Sequence, residues 1–557
     1  MMFPKIKLLM PALVLLFWLG SINNPVSSKV LFNDEKFLTE YSDHQKMRER
    51  LENLVVEQPE LAGLTTLATT TGGKAIHLLT IGAGDTKNRP ALAIVGGVSG
   101  DHLLGSELAL QFAENLLAMS QEIKIRQLLD SVTFYVFPDM SPDARSQYFA
   151  DLRYERSYND NIVIRDRTAD PDKPPFIDLN GDGMITMMRI KDPAGSWMKH
   201  PEDERVMVKA RSEKGERGEY RLYREGLRAD RHGRVHDDDV RGVVFDRNFT
   251  FQYPAFQPGA GPHAVSEIET RAIADFLFDA KNVYAVITFG DANNLSEPLK
   301  YNETAASARI HTGWKRNDIV INEMISQLYR KHLNDALPEA SQASNGDFFQ
   351  WAYYHYGRFS FSTPGWTVPE TETETPDVYK SKELRFLRWA ESNETTDVVV
   401  PWTEVVHPDF PDQQVEVGGI IPFAMKNPPY AMVADLARKH TDFILDVAAL
   451  RPVIGIVRLE KETLGRDLHR VTAHIMNKGS FPTASQTGEI LRWKQKTVIR
   501  TTLDNGQQMV SGRPVEVLGA IDGRSAITRS WLIHGRGNIS IVVGAESSGF
   551  SEKIISL

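Results

Sequence analysis

The chain divides by the spacing of its apolar positions. Phe37 to Gln58 carries an amphipathic pattern that predicts a helix, and "PELAGLTTLATTTGGKAIHLLTIG" reads as two strands about a turn at Gly72–Gly73. "RPALAIVGGV" predicts a buried strand, Leu108 to Met119 a crossover helix, and "SVTFYVFPDMSPDARS" the next strand, ending in a polar loop at Asp139. Strands alternating with helices predict an α/β domain whose sheet is largely parallel and covered on both faces. Between the first buried strand and its helix lies "GGVSGDHLLGSELAL", Gly96 to Leu110. A glycine-rich turn at the carboxyl end of a strand is where such folds place chemistry. This one offers Ser99, Asp101 and His102.

Residues 151 to 243 interrupt the pattern. His200 to Arg241 holds eleven Lys/Arg and eleven Asp/Glu, and this balance of signs predicts a solvated, salt-bridged insertion rather than a binding patch. The α/β pattern resumes at "VVFDRNF". "SEIETRAIADFLFD" follows, with Ser266 and Glu269 spaced as a capping box. "VYAVITFGDANN" is another buried strand, and "NPPYAMVADLARKHTDFILDVAAL" a last helix. After Arg451–Pro452 short alternating strands separated by Gly, Asn and Asp predict an all-β sandwich of about a hundred residues. Few contacts need cross so proline-marked a linker, so the sandwich is expected to be separable.

Composition narrows the class. With 41% hydrophobic and 25% charged residues, the 557-residue chain is globular, with room for two or three domains. A net charge of -9 gives no sign of a nucleic-acid partner. Cysteine is absent, which excludes disulfides, zinc–thiolate sites, a cysteine nucleophile and a lipoprotein anchor. Lys5 and Lys7 followed by an apolar run from Leu8 to Gly20 read as a signal peptide over residues 1–28, cut near Ser28, or as an uncleaved anchor. Either reading exports the rest, residues 29–450 and 451–557, to a bacterial periplasm or cell surface. No other segment has the apolar length to cross a membrane.

Residues 45 to 447 resemble the zinc metallocarboxypeptidase family, the carboxypeptidase A and T group. The resemblance lies in ordered segments: "ALAIVGGVSGDHLLGSELA", "FPDMSPDARS", "FDRNF", "SEIET", "ITFGDANN" and "NGDFFQWAYYHYGRFSFSTPGW". It implies a mixed sheet of about eight strands between helices. It also implies zinc held by a histidine, a glutamate three residues later and a second histidine, with a separate glutamate as base and an Asn-Arg pair for the substrate carboxylate. Carried over residue by residue, the first histidine falls on Ser99, the first glutamate on His102, the second histidine on Gly290 and the base on Pro364. His102 alone among these positions is of a residue type that binds zinc, with Asp101 and Asp291 as neighbours that would have to complete a shifted site. Arg247 and Asn248 match the carboxylate clamp, with Asp246 in place of its first asparagine. There Arg247 either recognises a carboxylate or bridges to Asp246 or Glu267. Glu107, at the start of the predicted helix, is placed to complement the helix dipole.

"DLNGDGMIT" at 178–186 places Asp178, Asn180 and Asp182 at calcium-loop spacing, but Arg189 stands where the bidentate glutamate belongs. The loop is a calcium site completed elsewhere or an Asx-rich turn. The expectation is a secreted, non-catalytic member of the family that binds a peptide or peptidoglycan stem peptide. Its rivals are an active metallocarboxypeptidase with a non-standard zinc site, and a hydrolase of different chemistry in the same cleft.

Overall fold

The computed structural model describes residues 41–161, 176–227, 242–369, 377–395, 397–493 and 496–557. The expected signal segment lies outside them. Among the described residues no helix is long and apolar enough to cross a membrane.

The first layer is a six-stranded sheet in the order Ala62–Thr69, Ala75–Ile81, Thr133–Phe137, Ala91–Val95, Val283–Phe289, Phe359–Thr363. The last four strands run parallel to one another, and Ala75–Ile81 pairs antiparallel with both Ala62–Thr69 and Thr133–Phe137. The central strands are buried along their whole length, as their uninterrupted apolar runs require of a sheet covered on both faces. Helices Leu103–Ala118 and Val433–Ala449 contribute Leu108, Phe112, Ile444 and Val447 to one core, while Ile273, Leu277 and Trp351 pack the other face.

Six strands stand where about eight were implied by the resemblance. "VVFDRNF" is no strand but a short 3-10 turn at Phe245–Arg247. Val399–Val405 and Val415–Ile420 join a separate antiparallel sheet instead. That sheet corrects the reading of the insertion. Met187–Lys191, Trp197–Lys199, Met207–Lys209 and Tyr220–Arg224 pair with one another and with Val415–Ile420. Met188, Ile190, Val415 and Val417 form its small core. The strands are short and carry charged residues on one face, so no apolar period was long enough to see.

Residues 454–556 form two four-stranded sheets, the all-β sandwich expected. Its junction is not sparse. Phe481 is fully buried in the α/β core against Tyr284, Phe359 and Phe361. Asp318 accepts the backbone N–H groups of Gln486 and Thr487 at 2.9 and 3.3 Å. These contacts come from a loop well past the proline that marked the linker and tie the sandwich to the α/β core.

Candidate functional site

Ala91–Val95 delivers the chain into the glycine-rich turn. Gly97 has φ +64°, and a Cβ there would stand 2.5 Å from the Asp139 carboxylate, so the turn closes only around a residue without a side chain. Ser99, Asp101 and His102 follow and are all buried. Ser99 Oγ donates to Asp101 Oδ1 at 2.5 Å. His102 Nε2 lies 2.9 Å from the Pro364 carbonyl oxygen, which can only accept, so Nε2 carries the proton. The other ring nitrogen, Nδ1, is buried without a partner. It lies over Gly105, where a Cβ would approach to 2.8 Å. Burial lowers the His102 pKa and keeps the ring neutral.

The centre of the site is a residue that local sequence reading missed. Lys426 Nζ lies 2.8 Å from Asp101 Oδ2 and 3.4 Å from Asp291 Oδ2. It arrives on the 421–430 segment, 325 residues from Asp101 in sequence. That segment is fastened at several points. Glu155 Oε1 accepts the Phe423 N–H at 2.9 Å. Asn427 donates to the Asp101 carbonyl at 3.0 Å and accepts the Leu104 N–H at 3.0 Å. Tyr430 donates to Glu107 at 3.0 Å. Burial opposes ionisation of Asp101, but the Lys426 ammonium outweighs it and holds the carboxyl below its usual range. Desolvation likewise opposes the charge on Lys426, and Asp101 and Asp291 more than offset it, raising its pKa.

These contacts answer whether zinc fits. Three ligands must face one point, and among the described residues no group of three His, Asp or Glu does so. Asp101 and Asp291 converge on an ammonium instead. His102 presents an N–H to a carbonyl, and Gly290 has no side chain. A Cβ at Gly290 would come within 2.6 Å of Val98, so the position is closed even to a restored histidine unless Val98 moves. The shifted set Asp101, His102 and Asp291 is therefore not assembled as a metal site. Pro364 supplies a carbonyl where the family needs a carboxylate.

The clamp positions are engaged in structure. Asn248 is fully buried. Its amide donates to Ala260 O at 2.7 Å, His263 O at 3.1 Å and Ser266 Oγ at 3.1 Å, and accepts from Thr270 Oγ1 at 2.8 Å. Asp246 accepts the Phe348 N–H at 2.8 Å rather than pairing with Arg247. Burial first, then the nearby Asp347 carboxyl, raises its pKa well above the carboxylate range. Among the described residues Arg247 makes one side-chain hydrogen bond, from Nη1 to the Pro258 carbonyl at 3.0 Å, and none to Glu267. Glu267 Oε1 accepts from Ser266 at 2.5 Å. The predicted capping box is absent, because the helix begins one residue later, at Ile268, with Glu267 as its N-cap. Glu107 stands beyond the first turn of its helix, bound to Arg50 at 2.6 Å.

The 178–186 loop is an Asx-rich turn in the structure. Asp178 accepts the N–H groups of Gly181 and Gly183 at 2.7 and 2.8 Å, Asn180 that of Asp182 at 3.1 Å, and Asp182 that of Met184 at 2.8 Å. Glu225 closes the loop by accepting from Leu179 and Thr186. With its oxygens on its own amides, the loop offers calcium no converged ligand set among the described residues.

Comparison with known proteins places the turn in a family. Residues 47–173 match the zinc carboxypeptidase family model, and residues 454–556 match a family described as Domain of unknown function (DUF8731). The chain is 26% identical over 137 residues to carboxypeptidase B of Astacus astacus, covering 24% of this chain and 44% of that protein. It is 27% identical over 108 residues to carboxypeptidase E of Caenorhabditis elegans, covering 18% of this chain and 23% of that protein. The chain thus spans less than half the length of the curated relatives it matches. Among solved structures, thrombin activatable fibrinolysis inhibitor is similar with a TM-score of 0.40 at 10% identity over 73% of both chains. Carboxypeptidase A from Helicoverpa armigera has a TM-score of 0.35 at 14% identity, covering 72% of this chain and 74% of that one. The match to the zinc carboxypeptidase family model falls on residues 47–173, the part of the chain that holds the turn.

Proposed function

We propose that the protein is an exported, non-catalytic member of the zinc carboxypeptidase family whose cleft binds a peptide or cell-wall stem peptide without cleaving it. The observation that carries this reading is the Lys426 ammonium between Asp101 and Asp291, beside the positions where the family's ligands belong. Removing peptide residues by the family's chemistry needs an activated water and a general base. Ser99, His102, Gly290 and Pro364 supply neither. Arg247 is the cation of the inherited clamp and is the residue proposed to meet a ligand's carboxylate. The lysine-then-apolar start of the chain supports export.

The opposing reading, an active metallocarboxypeptidase with a non-standard site, draws on the family match alone. Incubation with peptides bearing free carboxy termini separates the two. Calorimetry should detect binding while mass spectrometry finds every peptide intact. Products shortened by one carboxy-terminal residue, lost on adding a chelator, would overturn the proposal.

A further inference from the structure

We infer that Asp101 and Asp291 form a binding site for a primary ammonium group, filled in the free protein by Lys426 of its own chain. The inference rests on the non-catalytic reading and specifies what the cleft recognises.

Two carboxylates, each following one of two adjacent parallel strands, lie at 2.8 and 3.4 Å from one –NH₃⁺. An ammonium has three donors and no acceptor, and two carboxylate oxygens satisfy two of them. The Asp101 carboxylate is set in place for this. Ser99 takes its other oxygen, and Asn427 holds its backbone carbonyl. The geometry suits an ammonium and not a divalent ion, because the third side chain at hand, His102, is turned to the Pro364 carbonyl as a donor. The site also reaches solvent, with the Asp291 side chain 61% and the Lys426 side chain 38% exposed. The segment that brings Lys426 is held in a conformation of its own. Phe423 has φ +71°, a region costly for a residue with a side chain, and Glu155 and Asn427 fix it there. Lys426 is then a tethered occupant, and a ligand's amino group competes with it.

The test removes the tethered group and offers others. In the full chain, Lys426→Ala should gain a saturable, concentration-dependent rise in Tm with n-butylammonium chloride, which copies a lysine side chain, or with glycinamide, which copies a peptide amino terminus. The stronger of the two names the source of the amine. n-Butanol, tetramethylammonium and zinc chloride should give no rise, and Asp291→Asn in the Lys426→Ala background should abolish the response. If the variant folds only when one of the amines is present, that is the same result in a stronger form. No response to either amine, or an equal response to zinc, overturns the inference. A zinc response in Lys426→Ala leaves the non-catalytic reading of the natural protein standing, because peptide cleavage by the unaltered chain is the separate test of that reading.

Discussion

His102 Nε2 and the Pro364 carbonyl oxygen, 2.9 Å apart, bind each other. The resemblance places a zinc ligand at the first position and a general base at the second. In the structure the two share one buried hydrogen bond. His102→Phe keeps a ring but leaves the Pro364 carbonyl buried without a donor, which costs about 1–3 kcal/mol. Urea unfolding should show a lower midpoint with an unchanged slope, since the surface exposed on unfolding is the same.

His44 and His77 give a second prediction. Their rings lie 5.8 Å apart at 17°, and both nitrogens of His77 and Nδ1 of His44 are buried without partners. Burial lowers both pKa values. Asp139 and Asp143 pull that of His44 back up against Arg145 and Lys74. His77 is lowered further by His44 and Arg48 and raised by Glu52 and Asp139. With folded values below the unfolded value of about 6.5, the unfolded chain takes protons first. The stability that this pair contributes is complete above that pH and is lost as pH falls through it. His77→Phe should therefore show a smaller drop in Tm between pH 7.5 and 5.5 than the parent. An equal or larger drop would place the acid sensitivity elsewhere.

The junction with the sandwich carries a third. Phe481 fills a space lined by Tyr284, Phe359 and Phe361, and Phe481→Ala should destabilise the α/β domain by about 3–5 kcal/mol. A chain ending near Ala448 loses this side chain altogether and should be recovered as aggregate or with a depressed Tm. A cooperative, undiminished transition would show that the sandwich is dispensable after all.

At the 178–186 loop, Asp178→Ala removes the acceptor of two backbone N–H groups and should cost about 1–2 kcal/mol, as loss of a helix cap does. Because these oxygens already serve the loop, millimolar calcium should leave Tm where it is. A calcium-dependent rise that disappears in Asp182→Ala would restore the cation reading.

How much of this the sequence held depends on range. The turn at Gly96–Leu110 was legible because a buried strand, glycines and an amphipathic helix follow one another locally. The reading of Ser99, His102, Gly290 and Pro364 at the family's ligand and base positions also came from ordered segments alone. Lys426 was not legible. "FAMKNPPY" has no local period or motif, and its partner Asp101 is 325 residues away. The sheet built from residues 187–224 was hidden for a related reason. Its strands bury one narrow face against Val415 and Val417, which come from far along the chain. Asn248 read as a clamp residue because its identity matched. Its side chain's five partners, spread over residues 260 to 270, are all parts of the surrounding fold.

The metal content of the purified protein tests the non-catalytic reading most directly. Zinc affinity at a catalytic centre depends on its ligands together, and this chain presents an ammonium where they would meet. Elemental analysis after gel filtration without chelator should find far less than one equivalent of zinc per chain, before and after incubation with zinc and a desalting step. One equivalent retained through that step, removed by a chelator together with activity on a peptide's last residue, would contradict it.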